Sequence, residues 1–254
     1  LQNLYERPWL LFLRQVGVGN ISVAEYSNDR EPLVLDGLQY WQAGDTWLEQ
    51  SLAGVGQDTI AQQLIRTGSI PAGSAGQSVV RKLKQDASSI IASMQKGSLE
   101  TVSASLPVSL QIGNVVVTGE INGWTGNTIH RGVFSKVSMK YATRLWVDYL
   151  IATAISNRTL EPAVLVGRER TQATLSPVGP YEAFAHLENL VGMWQVARSF
   201  PLPFFVDKDI AKLIKEDEVD FADRQSTTAF ISKARNSFNK EPWGNSNSSA
   251  DRPA

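Results

Sequence analysis

A valine-rich segment, VVVTGEINGW at residues 115–124, carries the polar groups most suited to chemistry in this chain. Its β-branched residues predict a strand, in which alternate side chains point to opposite faces. Glu120 and Asn122 therefore share one face near the end of the strand, where carboxylate and amide oxygens can bind a divalent cation such as Mg²⁺. The same pattern also suits a solvated strand face without a ligand, so both interpretations stay open.

A lysine follows on the next predicted strand, which we expect at about residues 128–137. That strand contains Phe134 and, two residues later, Lys136. Metal-dependent nucleases of the PD-(D/E)xK class have a comparable layout, with one acid at the end of a strand and an acid-x-lysine on the strand that follows. Their two acids hold Mg²⁺, while the lysine orients water or stabilises developing charge. Here the lysine is present, but a phenylalanine stands where the second acid is required.

Other catalytic patterns are weaker in this sequence. The turns GVGN (17–20) and GSAG (73–76) lack the Lys-Ser/Thr ending of a phosphate-binding loop, and no G-x-S-x-G motif is present. The absence of cysteine excludes disulfides, thiolate zinc sites and a cysteine nucleophile. His130 and His186 have no partner at metal-ligand spacing. The region around the valine-rich strand is therefore the main candidate for a functional site.

The composition indicates a soluble globular protein. With 254 residues, 43% of them hydrophobic, the chain can bury a substantial core. Its 24 Lys and Arg residues nearly balance its 25 Asp and Glu residues, so any contact with DNA has to be local. No membrane span or signal peptide is evident, and we expect a cytoplasmic protein with no membrane partner. The first residue is Leu rather than Met, which suggests a piece of a longer protein.

Helical and strand periodicities alternate along the chain. Helices are predicted at about residues 4–16, 36–52, 58–67, 74–97, 138–155, 181–194, 208–216 and 226–238. Strands are predicted at about residues 99–106, 108–112, 114–121, 128–137, 162–166, 172–175 and after Pro201. This order predicts a single α/β domain over residues 1–240, with a mixed central sheet flanked by helices. Residues 241–254 are rich in Ser and Asn and predict a flexible tail.

Two helix starts have capping signals. Asp36 is followed three residues later by Gln39, and Ser74 is followed by Gln77, each a pattern typical of a helix N-terminus. The helix after Asp36 has a predicted core-facing stripe formed by Leu38, Trp41, Asp45, Leu48 and Leu52.

The chain also resembles the C-terminal region of the RecC family, the gamma subunit of the exodeoxyribonuclease V helicase-nuclease. Six segments carry this resemblance, in family order across nearly the whole chain: RPWLLFLRQ (7–15), EPLVLDGLQYW (31–41), TGSIPAGSAGQ (67–77), VVVTGEI (115–121), RLWVDYL (144–150) and ISKARNSF (231–238).

The resemblance implies the restriction-endonuclease-like, PD-(D/E)xK fold of the partner subunit RecB, with its active site lost. By this correspondence the two metal-binding aspartates of an active relative fall at about Asn122 and Phe134. Lys136 corresponds to the lysine of the motif, and Arg144 to a glutamine of the following helix. Glu120 is the candidate for a migrated ligand. The resemblance implies no catalytic residue, bound metal or cofactor in this region.

Electrostatics independently favours an inactive site. A carboxylate about 4 Å from a unit positive charge contributes on the order of 4 kcal/mol at an effective dielectric near 20. Asn122 supplies only a neutral carbonyl, and Phe134 supplies no oxygen at all. Glu120 alone would hold Mg²⁺ poorly, so the sequence predicts that catalysis is lost.

Three functional hypotheses follow. The first is a non-catalytic scaffold and DNA-guiding domain of a RecBCD-type complex, acting in double-strand-break repair by homologous recombination. For this one, the resemblance implies RecB-like and RecD-like subunits and double-stranded or forked DNA as partners. The second is an active nuclease with a rearranged site, using Glu120 and Asp148. The third is a protein-interaction domain that never touches DNA. Trp124, in a predicted turn, is a candidate contact for a partner or for DNA.

Overall fold

A computed structural model of the chain describes Leu4 and residues 8–17, 34–95 and 104–200. All of these residues belong to the first of two compact units, Leu1–Pro203 and Phe204–Ala254. The strand predicted after Pro201, the helices predicted at 208–216 and 226–238, and the tail predicted at 241–254 lie outside the described residues.

The described elements alternate between helices and short strands. In chain order they are α1 (Pro8–Gln15), α2 (Gly37–Leu52), α3 (Gln57–Arg66), α4 (Gly73–Gln95), β1 (Ala104–Ile112), β2 (Val115–Trp124), β3 (His130–Gly132), α5 (Met139–Ser156), β4 (Ala163–Val166), a 3₁₀ turn (Arg168–Arg170), β5 (Gln172–Leu175) and α6 (Pro180–Ser199). The predicted α/β class is confirmed. No described helix combines the length and the apolar character that crossing a membrane requires.

Among the described residues, the strands form two sheets rather than the one central sheet that was predicted. β1 pairs antiparallel with β2, while β3, β4 and β5 form a separate mixed sheet in which β3 is parallel and β5 antiparallel to β4. Within the part of the chain that the structure describes, one isolated bridge, between Trp124 and Ile129, links β2 to the residue before β3. The interruption lies where Gly123, at φ +81°, packs against the backbone carbonyl of His130. A glycine with positive φ is typical of a β-bulge, and the β1–β2 register shifts at this point, between Ala104 and Ser105.

The predicted break at Pro107 does not occur, because β1 runs through it from Ala104 to Ile112. Within the described residues β1 has a strand neighbour on one side only. Proline is tolerated on such edge strands, since its missing N–H is not needed for pairing.

The strand predicted at residues 128–137 is too long, because β3 ends at Gly132. Beyond it, the backbone is held by the turn that follows β4. The N–H of Arg168 donates to the carbonyl of Ser135 (2.8 Å), and the N–H of Val137 donates to Oγ1 of Thr171 (2.9 Å). These bonds replace a strand ladder. Phe134 and Lys136 therefore lie in an irregular segment beside the β4–β5 turn.

Helix α2 shows both a correct and an incorrect prediction. Its capping box is confirmed, because the Asp36 side chain accepts from the Gln39 N–H and the Gln39 side chain accepts from the Asp36 N–H. The predicted stripe is only partly correct, since Leu48 is 3% exposed but Leu38 and Leu52 are 62% and 43% exposed. The face of α2 that is buried consists of Ala43, Gly44, Trp47 and Leu48. Helix α4 begins at Gly73, so Ser74 lies inside its first turn rather than before it.

The main apolar cluster joins α2, α3 and α4 to the segments beside β3 and β4. Its buried members are Ala43, Trp47, Leu48, Ile60, Leu64, Ile70, Leu83, Ala87, Ile90, Met94, Phe134 and Val166. Helix α5 packs against β1, β4 and α6, and every residue from Val147 to Thr153 is buried. A helix that is apolar on most sides belongs in a protein interior, which explains why α5 positions the strands around it.

Gly44 lets α2 lie directly against Phe134, because a Cβ at this position would overlap the phenylalanine ring. We expect Gly44→Ala to lower the free energy of unfolding by about 2 kcal/mol, as overpacking does, despite the ~1 kcal/mol advantage of alanine in a helix. Gly37→Ala in the same helix is the matched control, since nothing lies within 4 Å of a Cβ there. Urea unfolding measures both variants, and equal stability would contradict this packing.

Candidate functional site

The hairpin β1–β2 presents Glu120 and Asn122 on its exposed face, as strand alternation predicted. Ile121, between them, is only 2% exposed and faces the interior. Across the hairpin, Glu120 is paired with Pro107 and Asn122 with Ser105. Cross-strand partners share a face, so the facing residues of β1 add no second carboxylate to this surface.

Lys136 is engaged elsewhere. Its Nζ lies 2.6 Å from Oε2 of Glu169, which belongs to the 3₁₀ turn after β4, and both side chains are more than half exposed. The hydrogen bond from the lysine lowers the pKa of Glu169 below its usual value. Among the described residues, no hydrogen bond or ion pair joins Lys136 to Glu120 or Asn122. An exposed ion pair of this kind adds little stability. The carboxylate that Lys136 contacts is nevertheless that of Glu169.

Phe134 is part of the hydrophobic core, with no exposed surface. Its ring centroid lies 5.8 Å from that of Tyr40, and the guanidinium carbon of Arg168 lies 5.3 Å from it. The position that the resemblance assigns to the second metal-binding acid is therefore filled by an aromatic ring packed against α2.

A half-buried arginine joins the end of the hairpin to the central helix. Arg131 on β3 donates through one guanidinium nitrogen to Oδ2 of Asp148 on α5, at 2.7 Å, and through the other to the backbone carbonyl of Asn122, at 3.0 Å. Asp148 is only 6% exposed. Sequence reasoning did not single out Arg131. A charged residue within the apolar run LWVDYLIA does indicate a buried partner, but nothing in the sequence says which arginine provides it.

This contact bears directly on the rearranged nuclease site with Glu120 and Asp148. A guanidinium at 2.7 Å already neutralises the Asp148 carboxylate and would repel a metal cation beside it. Within the part of the chain that the structure describes, no group of three or more His, Cys, Asp or Glu residues is placed to hold a metal ion.

Two further predicted positions lie in ordered elements. Arg144 is half-buried on α5, with its guanidinium carbon 6.0 Å from the ring centroid of Tyr141 one turn earlier. The prediction that Trp124 lies in a turn is wrong, because it is the last residue of β2 and pairs with Ala104 and Ile129. Trp124 stays half-buried, so part of its ring remains exposed to solvent.

A second charged cluster, which sequence reasoning missed, surrounds Tyr40. Arg168 lies 5.5 Å from the tyrosine ring centroid and 4.0 Å from Oδ2 of Asp86, while Lys82 lies 5.1 Å from the same ring. The Tyr40 hydroxyl donates to Oδ2 of Asp86 at 2.9 Å. Burial, followed by this bond to a carboxylate, raises the pKa of Tyr40 strongly, so the hydroxyl keeps its proton. The cluster ties α2 and α4 to the β4–β5 turn, and its contacts are those of a structural network.

Comparison with known proteins places these features in a family. The model of the RecC C-terminal domain matches residues 1–216. The RecBCD enzyme subunit RecC of Mycolicibacterium smegmatis is 25% identical over 218 residues, which cover 83% of this chain and 20% of that protein. The chain thus spans about a fifth of the length of this relative.

Proposed function

The chain belongs to the RecC C-terminal domain family, and we propose that it is a non-catalytic scaffold and DNA-guiding domain of a RecBCD-type helicase-nuclease complex. In this proposal it acts in double-strand-break repair by homologous recombination in the bacterial cytoplasm. Its partners are RecB-like and RecD-like subunits and double-stranded or forked DNA. The name of the relative, a RecBCD enzyme subunit, supports assembly with other subunits.

The fold that we propose is a degenerate PD-(D/E)xK nuclease fold over residues 1–240, followed by a flexible tail. Supporting it, an antiparallel hairpin precedes β3 and α5, and the chain then enters β4, which pairs in parallel with β3. A fold alone does not fix a function, so the state of the site decides between an active and an inactive domain.

The observation that carries the inactive assignment is the arrangement of charge around the hairpin. The end of β2 is held by the guanidinium of Arg131, which also binds Asp148. The ring of Phe134, at the position that the resemblance assigns to an acid, is buried in the core, and Lys136 forms an ion pair with Glu169. Glu120 is then left as a single exposed carboxylate on the hairpin face, too little to hold Mg²⁺.

The scaffold role is supported by large apolar side chains that α6 and its C-terminal end leave exposed. Met193, Val196 and Phe200, which follow one another at i, i+3 and i+7, are 37%, 49% and 67% exposed. Surfaces with several such residues commonly contact other proteins. This also suits the third hypothesis, a protein-interaction domain without DNA contact.

A nuclease assay tests the loss of catalysis. We expect the chain to leave linear double-stranded DNA intact in Mg²⁺ or Mn²⁺, and titration calorimetry with Mn²⁺ to show no specific binding. Glu120→Ala should change neither result, and Glu188→Ala, an exposed acid on α6, serves as its control. Mn²⁺-dependent degradation that disappears in Glu120→Ala alone would establish the active nuclease instead.

Binding to a forked duplex separates DNA guiding from protein interaction. Contacts to phosphates release counterions, so affinity should fall as the salt concentration rises. Absence of salt-dependent binding would favour the protein-interaction domain.

A further inference from the structure

A cavity of about 320 Å³ lies between α4 and the β4–β5 turn, away from the hairpin. Its lining residues are Ser89, Ala92, Ser93, Val166, Arg170 and Gln172.

The walls of this cavity suit a small anion. Ser89, Ala92 and Ser93 share one face of α4 through their i, i+3 and i+4 spacing, and their short side chains let a ligand approach the helix closely. Val166 is buried below them. Arg170 and Gln172 line the cavity as well. The guanidinium of Arg170 supplies several donors, and the Gln172 amide, which donates one N–H to Oγ1 of Thr174 at 3.3 Å, retains a second.

The three charged side chains of the β4–β5 turn, at residues 168–170, each have different contacts. Arg168 contacts the Tyr40 and Phe134 rings, and Glu169 pairs with Lys136. Arg170 lines the cavity and forms no ion pair with any residue that the structure describes. The carboxylate next to it in the chain is thus already engaged.

The turn holds Arg170 in an unusual backbone conformation. Glu169 and Arg170 have φ values of +57° and +58°, in the left-handed region that non-glycine residues rarely adopt. Thr171 fixes this shape: its Oγ1 donates to the Arg168 carbonyl at 2.9 Å, and its backbone carbonyl accepts from the Gly167 N–H at 2.8 Å. Strained residues that are held so firmly are frequent at ligand-binding positions.

We propose that this cavity binds a phosphate group of a nucleic-acid backbone, with Arg170 as the charged contact. The inference rests on the DNA-guiding function proposed above and gives it a location. Arginine donors match phosphate oxygens, and hydroxyl and amide groups such as those of Ser89 and Gln172 are common additional phosphate contacts. Because the whole chain has a net charge of -1, a local site of this kind is required for any DNA contact.

Fluorescence anisotropy of a labelled forked duplex, titrated with the full chain over a series of salt concentrations, tests the proposal. Arg170→Ala should weaken binding by about 3- to 10-fold and reduce the salt slope by about one. Ala92→Glu, which adds an anion to an exposed helical position of the cavity wall, should weaken binding as well. Arg66→Ala, an exposed arginine at the end of α3, is the matched control and should bind as the wild type does. Thermal unfolding shows whether each variant is folded. If Arg170→Ala is not folded, the binding of Ala92→Glu alone decides the test.

The outcomes separate this proposal from the one on which it rests. If the wild type binds with a salt dependence that both cavity variants retain, the cavity assignment is overturned while DNA guiding survives. If the wild type shows no salt-dependent binding, the cavity assignment and the DNA-guiding function are both overturned. Line broadening of inorganic phosphate in ³¹P NMR that Arg170→Ala abolishes, together with unchanged DNA binding, would identify a site for free phosphate and overturn the nucleic-acid assignment.

Discussion

Phe134→Asp is expected to unfold the protein rather than to restore a nuclease site. Phe134 has no exposed surface and packs on α2 at Gly44. Removing a buried phenylalanine side chain costs about 3–5 kcal/mol, and placing an unpaired carboxylate in the same space adds several more. The sum approaches the whole stability of a typical domain, about 5–15 kcal/mol. Circular dichroism and urea unfolding should show a largely unfolded chain at neutral pH.

Two variants isolate the cause of this loss. Phe134→Leu keeps most of the apolar volume and should cost only about 1–1.5 kcal/mol. Ser138→Asp places the same carboxylate four residues away at an exposed position, the N-cap of α5, and should leave stability nearly unchanged. A folded Phe134→Asp variant that binds Mn²⁺ would show that residue 134 does reach the hairpin, and the inactive assignment would then fail.

Local signals in the sequence predicted the elements of this fold well. The capping box of Asp36 and Gln39, the boundaries of β5 and the two faces of β2 all appear in the structure as expected. Each depends on residues within a few positions of one another. Propensity, capping and alternation act at this range, so a single sequence contains the information.

The parts that were not predicted depend on residues distant in sequence. β3 pairs with β4, more than 30 positions later, and the turn after β4 captures the segment of Ser135 and Val137. The buried face of α2 was missed for a related reason. Gly44 contributes no side chain to a hydrophobic pattern, yet its lack of a Cβ is what admits Phe134.

The candidate site shows the same difference between features set by neighbouring residues and features set by residues distant in sequence. Glu120 and Asn122 were placed correctly by alternation alone. The partners of Lys136 and Asp148 were not predictable, because an exposed lysine can pair with any nearby acid and a buried acid does not specify its cation. The sequence therefore indicated that no acid stands at positions 122 and 134, but not that Arg131 joins Asp148 to the backbone carbonyl of Asn122.

Arg131→Met is expected to lower the free energy of unfolding by about 3 kcal/mol, because it removes the cation from a nearly buried carboxylate. The guanidinium contacts Asp148, which is 6% exposed, and the backbone carbonyl of Asn122, so three elements lose a shared contact. Methionine keeps the apolar stem of the side chain, which separates the loss of charge from a loss of packing. Urea unfolding at neutral pH measures the difference.

The double variant Arg131→Met/Asp148→Leu separates the cost of an unpaired buried carboxylate from the loss of a specific contact between β3 and α5. Replacing both partners of a buried ion pair by apolar residues is often neutral or stabilising, so this variant should recover most of the lost stability. Arg158→Met, at an exposed arginine whose guanidinium donates to the Gly126 carbonyl, is a matched control and should cost no more than about 1 kcal/mol. If Arg131→Met were as stable as that control, the guanidinium would not hold the hairpin to α5. Arg131 would then no longer count as the neutralising partner of Asp148, and this objection to a rearranged nuclease using Glu120 and Asp148 would be removed.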